Sequence, residues 1–351
     1  MTVIRDLGKK PEIVSLISKY ANTQNKVSEA DFSSNHPFHI ELEYLSRKVW
    51  TPASSGKSQT RWYYERARGQ YNDELSQIDR KAQQKKWLAR NPKHQKFAKE
   101  DLAKFDITWE MGPWWVVRGR QRNFIEFMKS ADETDVSYNY YEDLIARAIL
   151  YRTAERLYGT GAKAIGDLRY MVVPYTLSLL RYLTNEKLNL QKIWKQQCLS
   201  TELEKTVFTM LQEVNQFMKD TAPGGLIGEW AKKEDCWKRL KTWESLCEFK
   251  IPKEELYDEA EWLNRTNSLE ISVEQINVMM EQLKSIGPDG WIRIERWGKA
   301  TGIFDVVQSG FIWKIVRKLE GNKSIGDKDL IRTHELILQI GAEHLQELLK
   351  N

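Results

Sequence analysis

Apolar positions recur at three- and four-residue steps along most of this chain, which is the signature of amphipathic helices. Ile13, Leu16, Ile17 and Tyr20 form one such set, and Phe38, Leu42 and Leu45 in "PFHIELEYLSRKVW" (37–50) form another. Ser28 and Asp31 have the spacing of a capping box that starts the next element. From about residue 138 the pattern becomes a run of consecutive helices: "YNYYEDLIARAILYRTAERLY", "GDLRYMVVPYTLSLLRYL", "NLQKIWKQQ" and "TELEKTVFTMLQEVNQFMKD". Thr201 and Glu204 stand in capping-box register at the start of the last of these. Trp230, Trp237, Leu240, Trp243 and Cys247 make one apolar stripe, read as core with a partner-helix surface as the alternative. Further helices are expected near 270–286 and in "DLIRTHELILQIGAEHLQELL".

Elsewhere the pattern changes. Trp62, Tyr63 and Tyr64 have high β-propensity and precede Gly69, so a strand entering a turn is predicted. "WWVV" (114–117), after the Gly112-Pro113 break, also reads as strand, and "GPDGWIRIERWGKATG" (287–302) reads as turns around a short strand. "NDELSQIDRKAQQKKWLARNP" (72–92) is a polar, Lys-rich helix stopped by Asn91-Pro92. The fold class is therefore mainly α, a helical domain with a few short β-strands in the first third and near residue 291. A basic, aromatic α+β region (1–135) precedes a helical domain (136–351), with a break at 221–228 where "TAPGGLIG" stands.

Charge sharpens this division. The net charge is only +5, too mild to imply nucleic acid by itself. Between Lys57 and Lys99, however, twelve Lys and Arg face four Asp and Glu, while the rest of the chain is slightly acidic. "MTVIRDLGKK" lacks the apolar stretch of a signal peptide, and "MVVPYTLSLL" is far short of the ~20 residues of a membrane span. Cys198, Cys236 and Cys247 form no C-x-x-C pair and read as reduced thiols. A cytoplasmic chain with no membrane partner is expected.

Several segments taken together, "ANTQNKVSEADF", "SRKVWTPA", "WYYERARGQYNDE", "DLAKFDITW" and "EWAKKEDCW", resemble in this order the bacterial abortive infection phage resistance (AIPR) proteins. The likeness runs from about residue 13 to at least residue 240 and centres on "YYERARGQY". It implies antiviral defence in the bacterial cytoplasm. Longer members carry a segment before the "NTQN" region, so this chain resembles the C-terminal portion of such a protein, or a short member. The "N-x-Q-N-x-V-x-x-A-D-F" run is distantly similar to the asparagine-bearing segment of ParB-like nucleotidases.

The candidate chemistry lies in the basic region. Arg61, Arg66 and Arg68 with Tyr63 and Tyr64 suit a phosphate backbone and a stacked base, with inward-packed rings and an arginine neutralised by Glu65 as the alternative. Trp115 beside Arg118, Arg120 and Arg122 is a second expected platform, with a packed hairpin and solvated basic end as the alternative. Asn22, Gln24, Asn25 and Glu65 are candidate ligand-binding residues. Gly56-Lys57-Ser58 is not a P-loop, because Thr51 stands where the first glycine is required. His36 and His39 lack the further ligands a zinc site needs. Asp101, Asp106, Glu110, Glu142 and Asp143 show no metal-nuclease spacing and read as helix-start charges. No cofactor is identifiable, and catalytic residues are not assigned. The leading expectation is a defence protein that contacts nucleic acid or another anionic ligand. A nuclease or nucleotidase completed by a missing N-terminal domain or a partner chain, and a protein-binding phage sensor, are the alternatives. A partner protein or homo-oligomer is compatible with each.

Overall fold

The computed structural model describes residues 33–53, 58–131, 134, 136–244, 249–266 and 273–349. The expected elements at Ile13–Tyr20 and Ser28–Asp31 lie outside them, as does Cys247. The described chain is mainly α. In order it runs α1 (Pro37–Lys48), β1 (Tyr63–Glu65), α2 (Gln70–Ser76), α3 (Lys81–Arg90), β2 (Lys96–Ala98), α4 (Lys99–Glu110), α5 (Pro113–Val117), α6 (Arg120–Ala131) and α7 (Tyr138–Tyr158). Then come α8 (Arg169–Leu183), α9 (Leu190–Gln196), α10 (Thr201–Thr221), α11 (Ile227–Trp230) and α12 (Glu234–Leu240). The last are α13 (Glu259–Thr266), α14 (Val273–Thr301), α15 (Val306–Glu320), α16 (Asp327–Ile340) and α17 (Ala342–Leu349). The chain divides into two compact units, 1–258 and 259–351.

Local sequence sets many of these boundaries. Proline opens α1, where its missing N–H is no loss, and Phe38, Leu42 and Leu45 bury as the spacing predicts. Ser137 caps α7 by accepting from the Tyr140 amide at 3.2 Å, and Gly159 ends it. Ser200, one residue before the expected cap, holds the start of α10 through the Leu203 amide at 3.1 Å. In the first unit α4 packs on α6, α7 and α8, while α7 also meets α9 and α10. α7 buries residues on most of its circumference, because it is enclosed by these neighbours.

The strands form one short parallel pair, with Tyr63, Tyr64 and Glu65 opposite Lys96, Phe97 and Ala98. Parallel strands require a crossover, and here α2 and α3 supply it. The single polar helix expected over 72–92 is thus two helices, interrupted at 77–80. Two predicted strands are helical instead. "WWVV" lies in α5, opened by Gly112 at φ +142° and by Pro113. The segment near 291 lies in α14, kinked at Gly287 (φ 67°, ψ 169°) and resumed at Pro288. Leu283, Ile286, Trp291 and Ile294 are buried together with Phe304, Phe311 and Ile315 in the core of the second unit. Helical period, not alternation, is what places Trp291 and Ile294 on one face.

Candidate anion-binding cleft

The residues of "RWYYERARG" separate sharply in space. Tyr63 and Tyr64 are 1% and 0% exposed. The Tyr63 ring packs on Tyr71 and Trp87 at centroid distances of 5.0 and 5.7 Å, with the Arg47 guanidinium 3.5 Å from its centroid. The Tyr64 ring lies 5.2 Å from Phe97, and its hydroxyl is 2.7 Å from His39 Nδ1. Both tyrosines are therefore core residues rather than surface stacking platforms. Their pairing with β2 and the cover of α1 bury both sides of the strand.

The charged neighbours are mostly engaged as well. Arg61 stacks 3.9 Å from the Trp50 ring centroid. Burial, with Arg90 and Arg47 nearby, lowers its pKa. Glu65 is buried, accepting from Lys96 Nζ at 2.8 Å and from the Tyr71 amide at 3.3 Å. Arg66 donates from Nε to Glu43 at 2.6 Å and from a terminal nitrogen to the Ser34 carbonyl at 2.7 Å. Arg68 differs: it is exposed, and no described residue pairs with it. It precedes Gly69, whose left-handed backbone (φ 88°, ψ −10°) turns the chain into α2.

The second predicted platform rearranges similarly. Trp115 is half-buried in α5 and covered by Arg118, whose guanidinium lies 4.2 Å from its ring centroid. Arg118 also donates to the Lys232 carbonyl at 3.0 Å. Arg120 and Arg122, at the start of α6, are exposed and have no described partner. Neither a strand nor a bare indole face is present at this position.

Arg68 and Arg120 line the same cleft, of about 590 Å³. The first turn of α4 (Lys99, Glu100, Asp101) and Lys104 form one wall; Val116, Arg120 and Asn123 form another, with Glu65 and Ala98 between. Its charges are unequal in availability. Lys99 Nζ donates to Ser34 at 2.6 Å. Lys104 lies 3.6 Å from Asp101 and 3.5 Å from Glu155. Asp101 also accepts from the Ala98 amide at 3.2 Å, which holds the entry to α4. Arg68 and Arg120 stand exposed at the wall with no partner among the described residues.

Asn123 completes the cleft. It is 3% exposed, and its buried Oδ1 has no hydrogen-bond partner among the described residues. An unmatched buried amide oxygen is expensive. The sequence expectation passed over Asn123, Lys99, Glu100 and Lys104, although Arg120 and Asn123 share one helix face at i, i+3 and Glu100 and Lys104 another at i, i+4.

Asn22, Gln24 and Asn25 lie outside the described residues. His36 caps α1, accepting from the Phe38 amide at 3.3 Å. His39 is fully buried; burial, reinforced by Lys99, His36 and Arg66, holds its pKa well below the usual imidazole value. Asp106 is buried against Arg147 at 2.7 Å, and burial lifts its pKa although Arg147 pulls the other way. Cys236 is buried, which pushes its thiol up to about 12. Among the described residues no cluster of three His, Cys, Asp or Glu could hold a metal ion, and no helix is long and apolar enough to cross a membrane.

A family model described as AIPR protein matches residues 1–222. No curated protein and no solved structure gives a significant match.

Proposed function

This chain belongs to the AIPR, or abortive infection phage resistance, family, and on that premise we propose that it is a bacterial antiphage defence protein that meets nucleic acid at the Arg68–Arg120 cleft. It acts in the bacterial cytoplasm. The observation that carries the reading is the pair of exposed guanidiniums, unmatched by any described carboxylate, on one cleft wall set. Arg122, also exposed and with no partner among the described residues, extends the positive surface along the start of α6. Planar guanidiniums recognise phosphate oxygens in bidentate fashion. The platform role expected of Tyr63 and Tyr64 does not carry over, because those rings are buried.

Fluorescence anisotropy with labelled single-stranded and duplex oligonucleotides, between 50 and 200 mM salt, tests this. Each phosphate contact contributes about 0.7–0.9 to the slope of log affinity against log salt. The double variant Arg68→Glu/Arg120→Glu should lose at least about tenfold in affinity at low salt, and its slope should flatten by nearly two. Both side chains are exposed, so the melting temperature should hold. Equal affinity and equal slope in the variant would remove the proposal.

A further inference from the structure

The helix α3 adds little to the core. None of its residues is buried, and the half-buried Trp87 holds it, with its ring centroid 5.7 Å from that of Tyr63 and 4.8 Å from that of Tyr71. Charge dominates the rest. Residues 80–93 carry six cations, Arg80, Lys81, Lys85, Lys86, Arg90 and Lys93, and no Asp or Glu. All six are exposed, and no described residue pairs with their side chains. Arg61, stacked on Trp50, stands beside the C-terminal end, where its amide donates to the Arg90 carbonyl at 2.7 Å. This arrangement runs against what a helix by itself favours. Arg80, the N-cap residue, makes no side-chain cap, and no acid stands in the first turn, where the helix dipole favours one. Lys81 with Lys85, and Lys86 with Arg90, are like-charged pairs at i, i+4, each weakly unfavourable. A polyanion laid along the helix relieves all of these at once.

The neighbouring surface selects among polyanions. Gripping unpaired bases takes open aromatic faces, and among the described residues of 33–131 no Phe, Tyr or Trp ring is exposed. What this region offers is cations for phosphates. The ten residues of α3 rise ~15 Å, a length over which a duplex carries about nine phosphate charges. We infer that α3, with Arg80 and Lys93 at its ends, is a docking surface for duplex nucleic acid, gripped through its phosphate backbone and not by base stacking. This deepens the nucleic-acid reading and rests on it, but it stands on residues separate from the cleft. Duplex DNA and duplex RNA offer the same phosphate chemistry.

Anisotropy on the full chain, with labelled duplex DNA, duplex RNA and a single strand of equal length across a salt titration, tests the inference. A duplex should bind tighter than the single strand. Lys85→Gln/Lys86→Gln/Arg90→Gln should weaken duplex DNA binding by more than about tenfold at low salt and flatten its salt slope by nearly three, at about 0.9 per lost contact. The same variant should melt no lower than the wild type, because it removes both like-charged pairs and no buried group. Should the triple variant fail to fold, Lys85→Gln and Lys86→Gln made singly should each flatten the slope by about 0.9.

The two duplexes separate the sources: the one bound tighter is the partner, and equal binding supports recognition of the shared backbone alone. A single strand that binds tighter than both duplexes would overturn the inference. Poly-glutamate that displaces the duplex at equal charge would also overturn it, in favour of an acidic polypeptide. Duplex affinity and slope that hold in the α3 variant but fall in Arg68→Glu/Arg120→Glu would overturn it and leave the cleft reading standing. Absence of binding by every nucleic acid would overturn both.

Discussion

Arg66 and Arg68 are two residues apart and equally basic, yet the structure gives them opposite roles. Arg66→Ala removes the 2.6 Å pair with Glu43 and the 2.7 Å bond to the Ser34 carbonyl. A charge-assisted bond of this kind contributes about 1.5–3 kcal/mol and a neutral one about 1. The Arg66 and Glu43 side chains are 23% and 18% exposed, so solvent screens part of this. Glu43 is not stranded either, because Arg47 lies 3.7 Å away and Gln70 donates to it. A net loss of about 2 kcal/mol is expected, which lowers the melting temperature of a unit this size by about 4–8 °C. Arg68 is exposed and has no partner among the described residues, so Arg68→Ala should stay within about 0.5 kcal/mol of the wild type. Differential scanning fluorimetry and urea titration measure both, with oligonucleotide anisotropy alongside. An Arg66→Ala protein that melts with the wild type but loses affinity as Arg68→Glu does would refute this division of roles.

Two further outcomes are expected. His39 has a depressed folded-state pKa, so the unfolded chain takes up its proton first; this contribution to stability is complete above about pH 6.5 and is lost as pH falls. Urea titrations at pH 7.5 and 5.5 should therefore differ by about 1.4 kcal/mol less in His39→Gln than in the wild type; identical differences would contradict the buried neutral imidazole. Arg147→Met strands the Asp106 carboxylate, 2.7 Å from the lost guanidinium, and should destabilise by about 3–5 kcal/mol at pH 7. Because the folded-state pKa of Asp106 is raised, its ionisation penalty grows as pH rises through that value and fades on acidification. The gap between variant and wild type should narrow towards pH 4, and a gap that widens would show that Asp106 is not the stranded charge.

The sequence alone determined where most helices lie, because cap residues and apolar period are local properties. Pro37, Ser137 and the 171–180 apolar run each act within a few residues of themselves. Aromatic and β-branched runs misled at 114–117 and near 291, where helical neighbours outweighed intrinsic strand preference. The sequence also located the excess of basic residues, and the match to an AIPR family model over 1–222 agrees with the resemblance carried by "YYERARGQY". It could not tell a free arginine from a paired one. The partners of Arg66, at Ser34 and Glu43, lie 32 and 23 residues away, and burial of Tyr63 and Tyr64 depends on strand β2, more than 30 residues on. Arg68 and Arg120, 52 residues apart, share a cleft only because α4, α6 and the Arg68 turn meet around it. Whether a charge or an amide is available to a ligand is a property of what the folded chain places beside it, and that was decided by tertiary packing.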